Sequence, residues 1–145
     1  METISISILE TATEENLKEL VRLSQQLHQD TRTTNAHEVL SLIQSSGAFL
    51  VVAKDSEKII GMGSLYVQQK IGKRFAYIED VIVDDTYRGK GIGRDIMNHL
   101  IETARVNGVR SITLTSRAER TAAHSLYEKL GFVKRETEVF RLNLS

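Results

Sequence analysis

The sequence predicts an α/β fold: a mixed, mostly antiparallel central sheet of six to seven strands flanked by four helices. Three observations predict it. Apolar residues at every second position mark half-buried strands near both ends, Ile4, Ile6 and Ile8 first, Phe140, Leu142 and Leu144 last. Three strand-like runs follow one another between Ala48 and Val83, and such close neighbours pair antiparallel as a meander. Directly after Val83, a glycine-rich turn leads into a long amphipathic helical stripe. A chain of 145 residues with no linker, repeat or low-complexity segment suits one domain over 1–145.

The elements follow in order. After the strand at Ile4–Ile8, Thr11 to Glu14 offers a capping-box helix start, and Leu17, Leu20, Val21, Ser24 and Leu27 share one face of a helix ending near Gln29. Thr31 to Asn35 reads as a connector. Asn35 caps a shorter helix through Ile43, with Val39, Leu40, Leu42 and Ile43 apolar and Gly47 as its stop. Strands are expected over Ala48–Ala53, Lys58–Gln69 and Phe75–Val83, with turns at Lys54–Glu57 and Gly72. Ile92, Ile96, Met97, Leu100, Ile101 and Ala104 form the next helical stripe, closed by Asn107-Gly108. A strand over Ser111–Thr115 follows. The helix over Arg120–Leu130 turns Ala123, Leu126, Tyr127 and Leu130 inward and stops at Gly131. Phe132 and Val139–Leu144 complete the sheet. The order is β-α-α-β-β-β-α-β-α-β.

Composition excludes several functions. Nineteen basic and nineteen acidic residues cancel, so there is no global basic footprint for nucleic acid. Without cysteine there is no disulfide framework, thiolate nucleophile or cysteine metal site. His28, His37, His99 and His124 are scattered without metal-ligand spacing, so no metal is expected. No G-x-S-x-G elbow is present. No apolar run approaches the length of a membrane span, and the N-terminus lacks signal-peptide features, so the cytoplasm is the expected compartment.

The chemistry concentrates between Tyr77 and Arg94, Y-I-E-D-V-I-V-D-D-T-Y-R-G-K-G-I-G-R. A strand, a glycine-rich turn and a helix start together make an anion site, because the first helical N–H groups point outward and the helix dipole favours negative charge. Gly89, Gly91 and Gly93 let the backbone approach a ligand closely, and Arg88, Lys90 and Arg94 add three cations. The spacing matches neither a P-loop nor a G-x-G-x-x-G dinucleotide fingerprint. Arg88, Gly91 and Gly93 do give R-x-x-G-x-G straight after the strand. This loop, with Leu126-Tyr127-Glu128-Lys129-Leu130-Gly131-Phe132 further on, resembles the GNAT superfamily of acyl-CoA-dependent N-acyltransferases. The resemblance spans nearly the whole chain, in element order as well as motif order.

The resemblance implies direct acetyl transfer from acetyl-CoA, the acyl donor, to a primary amine of a small molecule (polyamine, aminosugar or similar) or a peptide, without a metal. It implies that Arg88, Gly89, Lys90, Gly91, Ile92, Gly93 and Arg94 hold the coenzyme A pyrophosphate. Ile82 and Val83 would pair with pantetheine, which enters where the third long strand and the Ser111–Thr115 strand splay apart. Tyr127 is implied as the general acid beside the thioester sulfur, and Glu79 as the base, direct or through water. Burial of a carboxylate in an apolar strand should raise its pKa usefully. Asp80, on the opposite face by alternation, is the weaker candidate. Glu79, Asp80, Asp84 and Asp85 suggest a cationic acceptor, with His28, His37 and the Gln68–Arg74 turn near its site. Arg120 stands where many members carry asparagine, although the run Ala122-Ala123-His124-Ser125-Leu126-Tyr127 matches relatives without it. Family members are often homodimers, so the resemblance implies a homodimer as one option, although the sequence itself shows no interface. No nucleic acid or membrane partner is expected. The rival reading is a non-catalytic domain that binds coenzyme A. A third, a nucleotide-binding protein, would prefer ATP or NAD.

Overall fold

The computed structural model describes residues 3–28 and 34–145. Among them, five strands form one sheet in spatial order β1 (Ile4–Ile8), β2 (Ala48–Asp55), β3 (Lys58–Lys70), β4 (Lys73–Val83) and β5 (Ser111–Thr113). The first four pair antiparallel, and β5 joins β4 in parallel. The helices are α1 (Glu14–Leu27), α2 (Ala36–Gln44), α3 (Ile92–Val106) and α4 (Thr121–Lys129). The chain divides into two compact units, Met1–Thr115, which holds the sheet and α1–α3, and Ser116–Ser145. The connector expected over 31–35 and the helix end near Gln29 fall largely outside the described residues; α1 is capped at His28.

The helix starts are chemical. At α1 the capping box is Thr13 with Asn16, two residues later than expected. The Thr13 hydroxyl accepts from the Asn16 amide at 3.0 Å, and the Asn16 side chain accepts from the Thr13 amide at 3.2 Å. Asparagine here does what glutamate or glutamine usually does. Asn35 starts α2 as expected, accepting from the Glu38 amide at 2.9 Å.

The two faces of the first unit's sheet are built differently. On one, Leu20 and Leu23 of α1 and Val39 of α2 pack with Leu50, Val52, Met62 and Ile82. On the other, α3 lies against β3 at Gly61 and Gly63. A Cβ on Gly63 would stand 2.9 Å from Leu100 Cδ1 and 3.0 Å from Ile96 Cγ2, and both of those residues are fully buried. These glycines are small so that the helix can come close.

The expected six to seven strands are not all formed: the sheet has five. Phe132 and residues 139–144 belong to no strand among the described residues, and Val139, Phe140, Leu142 and Leu144 are 77–91% exposed. Alternation shows which face a strand would bury, but a strand exists only where another edge accepts its hydrogen bonds. β5 is also shorter than expected, pairing only Ser111–Thr113 with Phe75–Tyr77. Among the described residues, no strand therefore lies beside β4 on that side from Ile78 to Val83.

In the second unit, α4 carries no fully buried residue, and Ala123, Leu126, Tyr127 and Leu130 are half-buried along its expected inward side. Gly131, at φ 99°, turns the chain, and the Phe132 amide donates back to the Tyr127 carbonyl at 3.0 Å. The Phe132 ring thereby meets the edge of Tyr127, centroids 6.1 Å apart.

Replacing Gly63 by valine forces α3 off the sheet. The expected loss is about 1–3 kcal/mol by overpacking, read as a Tm several degrees lower in thermal denaturation.

Candidate active site

The strand-to-helix junction is anchored before it is shaped. Asp84, the first residue after β4, is 5% exposed. Its amide donates to the Ile60 carbonyl at 2.8 Å, continuing the pairing of β4 with β3. Its carboxylate accepts from Arg22 of α1 at 2.8 Å and from the Thr86 amide at 3.2 Å. Burial pushes the Asp84 carboxyl up, but the bonds from Arg22 and Thr86 together outweigh burial and leave it below its ordinary value. A single 3₁₀ turn, Asp85–Tyr87, follows, and the Tyr87 hydroxyl donates to Asp55 of β2 at 2.5 Å. Asp85 pairs with Arg88 at 2.9 Å. Asp84 and Asp85, expected to attract a cationic acceptor, are engaged in this scaffold.

Above this base, Gly89 and Gly91 take φ of 79° and 81° with open space where a Cβ would stand. The left-handed backbone requires glycine there, not crowding. Gly91 is the N-cap of α3, and no side chain caps that helix. Gly93 is different. Its backbone is ordinary helix, and a Cβ would meet only Val83 Cγ2, at 3.7 Å. Nothing in the fold requires glycine at that position. Arg88 turns back toward the strand, its Nε donating to the Val83 carbonyl at 3.1 Å, and Lys90 lies 5.3 Å from the Tyr87 ring centre. Val83 at the end of β4, the loop over residues 88–91 and a helix start without a side-chain cap thus follow one another, while the Ile82 side chain packs into the core. An anionic, extended ligand such as coenzyme A fits that chemistry.

Glu79 lies five residues before Asp84, opposite Ser64. Between them the register slips: Met62 pairs with Ile82 and Ser64 with Glu79, which leaves an extra residue in β4. Asp80 takes φ 57° in this bulge. Strict alternation would send Asp80 to the face opposite Glu79. The bulge breaks that alternation, and the charges of both carboxylates act on the hydroxyl of Tyr66. The buried Ser64 hydroxyl donates to the Glu79 carbonyl at 3.0 Å and lies 3.3 Å from Asp80 Oδ2. Partial burial, then the Asp80 charge, raise the Glu79 carboxyl above its ordinary 4.5. Burial also raises Tyr66, with the two carboxylates adding to it against the opposing effect of the neighbouring Ser64 hydroxyl, so its own hydroxyl stays protonated.

A cavity of about 220 Å³ opens between α1, α2 and the sheet. Its aliphatic walls are Leu20, Leu27, Val39, Leu42, Leu50 and Met62. Its polar positions are Ser24, His28, Thr34, Glu38, Tyr66 and Asp80. His28 is one of the lining residues and is half-buried, where an exposed surface position was the expectation. His37 and the Gln68–Arg74 hairpin are not among the described lining residues. Tyr66 was not foreseen, since a tyrosine in an apolar strand carries no local signal of function. Tyr127 and Arg120 belong to the second unit, where Arg120 is the N-cap of α4 without a side-chain cap. Among the described residues, no group of three or more His, Cys, Asp or Glu could hold a metal ion, and no helix is long and apolar enough to cross a membrane.

Comparison with known proteins gives one consistent family. Residues 9–132 match the acetyltransferase (GNAT) family. A glucosamine 6-phosphate N-acetyltransferase of Trypanosoma brucei brucei is 39% identical over 90 residues, 60% of this chain and 58% of that one. An N-acetylaspartate synthetase of Danio rerio is 30% identical over 117 residues, 80% of this chain and 39% of that one. The chain thus matches little more than half the length of the glucosamine 6-phosphate N-acetyltransferases. Among solved structures, a Trypanosoma brucei acetyltransferase superposes with a TM-score of 0.79 at 28% identity, covering 98% of this chain and all of the other.

Acid should unlock the anchored junction. Because the folded pKa of Asp84 is depressed, its contribution to stability is complete above the ordinary Asp range and disappears as pH falls through the folded value. Asp84→Asn should cost about 1.5–3 kcal/mol at pH 7. The gap between the two proteins in urea midpoint should close below about pH 4.

Proposed function

The chain belongs to the GNAT acetyltransferase family, and from that premise we propose that it is an N-acetyltransferase moving an acetyl group from acetyl-CoA to a primary amine of a small molecule. The observation that supports this most is the uncapped start of α3 behind two positive-φ glycines, at the end of a strand edge left unpaired. Amides of residues 91–94, with Arg94 and Lys90, would hold the pyrophosphate, and the backbone of Ile82 and Val83 would meet the pantetheine arm. Arg88 shapes the loop through Asp85 and the Val83 carbonyl. Gly93, which the fold does not require, keeps the helix start open to the phosphates.

Acetyl-CoA supplies the thioester. The acceptor ammonium loses a proton to Glu79, directly or through water, and the free amine attacks the thioester carbonyl. As the C–N bond forms, the C–S bond breaks; Tyr127 gives its proton to the departing sulfur and regains one, directly or through water, from the acylated nitrogen, which leaves the neutral amide. The products are the amide and coenzyme A. This is a direct transfer in a ternary complex. Acceptors named for relatives, glucosamine 6-phosphate among them, make an aminosugar one reading of the amine. The rival is a coenzyme A-binding domain without turnover.

Acetyl-CoA and coenzyme A, but not ATP or NAD, should raise the melting temperature. At 100 times the dissociation constant the gain is ~2.7 kcal/mol, several degrees at this size. No shift with either coenzyme A species would sink the cofactor assignment. Tyr127→Phe should lower kcat at least tenfold with coenzyme A affinity retained; retained turnover would remove Tyr127 from the mechanism, and no turnover in the parent would favour the rival. Gly93→Ala separates fold from ligand: stability holds or rises by up to about 1 kcal/mol, while coenzyme A binding weakens. For Glu79, kcat/KM should rise with pH through a pKa above the ordinary glutamate range, and Glu79→Gln should abolish that limb.

A further inference from the structure

We propose that the cavity between α1, α2 and the sheet selects a small primary amine carried on an apolar body, its ammonium held by Asp80, in preference to a phosphorylated aminosugar. The inference rests on the acetyltransferase reading above and deepens it by naming the acceptor class. Three features support it. The first is size. An apolar cavity of ~150 Å³ takes a benzene ring, so about 220 Å³ accommodates a ring with a short aminoalkyl arm.

The second is the wall. Half of the described lining is aliphatic, contributed by α1, α2 and the sheet of the first unit. A sugar presents hydroxyls on every side, and each one facing leucine or valine would lose its water with nothing in return. A phenyl or branched alkyl body loses nothing there and gains by burial.

The third is charge. The bulge of β4 brings the Asp80 carboxylate to the cavity, with the buried Ser64 hydroxyl 3.3 Å from its Oδ2. Glu38, the other carboxylate of the lining, already accepts from Asn35 Nδ2 at 3.0 Å. Asp80 is therefore the anchor for an ammonium, and Glu79, its neighbour in sequence, is the proposed base. The two carboxylates of the described lining, Asp80 and Glu38, repel a phosphate dianion.

The test reads binding without turnover. The full chain is labelled with ¹³C at its methionine methyl groups and titrated with phenethylamine, glucosamine and glucosamine 6-phosphate, with and without coenzyme A. Met62 lines the cavity, while Met97, fully buried on α3, is the control. Phenethylamine should shift the Met62 methyl saturably and leave Met97 in place, and at least tenfold more glucosamine 6-phosphate should be needed for any shift. Asp80→Asn, which tolerates the left-handed backbone, should weaken phenethylamine binding at least tenfold. A Met62 shift at lower concentration with glucosamine 6-phosphate, no shift with the amine, or unchanged affinity in Asp80→Asn would each overturn the inference. The melting shift with coenzyme A reports separately on the acetyltransferase reading, so either can fail alone.

Discussion

The candidate site depends on one buried carboxylate. Asp84 stands where the sheet stops and the loop begins, and it is held from three directions: by β3 through its amide, by α1 through Arg22, and by its own turn through Thr86. A carboxylate so placed would be costly unpaired. Paired, it joins the helix layer to the end of β4, so the loop departs from a fixed point. Tyr87 on Asp55 adds a second tie three residues on. The glycines above can then take left-handed conformations without loosening the junction, because the residues below them are not free to follow.

Glycine does two opposite things in this chain. At Gly61 and Gly63 it removes side chains so that α3 can lie close on the sheet, and the space is filled by Ile96 and Leu100. At Gly89, Gly91 and Gly93 the space above the backbone is open or only loosely bounded. The first pair sets where α3 lies. The second set leaves its N-terminus bare. Together they make the end of that helix a fixed, uncapped dipole facing away from the packed layers.

The bulge in β4 is the other decisive irregularity. Without it, consecutive carboxylates would point to opposite faces of the sheet and would not act together. With it, Glu79 and Asp80 both influence Tyr66, and burial with mutual repulsion raises the glutamate. β-bulges often re-aim side chains in this way. Here the local cost is a non-glycine residue at positive φ, and the result is a polar cluster of Ser64, Tyr66, Glu79 and Asp80 beside the cavity.

The order of elements from β1 to α4, the glycine loop and the Asn35 cap of α2 were written locally, in periodicities and short-range signals that need no partner to be read. Family resemblance was carried the same way, by two short motifs in order. Local signals erred where a distant partner decides. The alternation of Phe140, Leu142 and Leu144 described a strand, yet no edge pairs with it and the sheet stops at five. The register slip opposite Ser64 arises between positions fifteen or more residues apart, and no pattern within β4 announces it. The pairing of Arg22 with Asp84 spans sixty-two positions of sequence, and no local pattern joins the two. The cavity is formed by residues of two helices and three strands. Helical and turn preferences are settled among near neighbours, whereas pairing, burial and pKa depend on which atoms meet, and only the tertiary structure decides that.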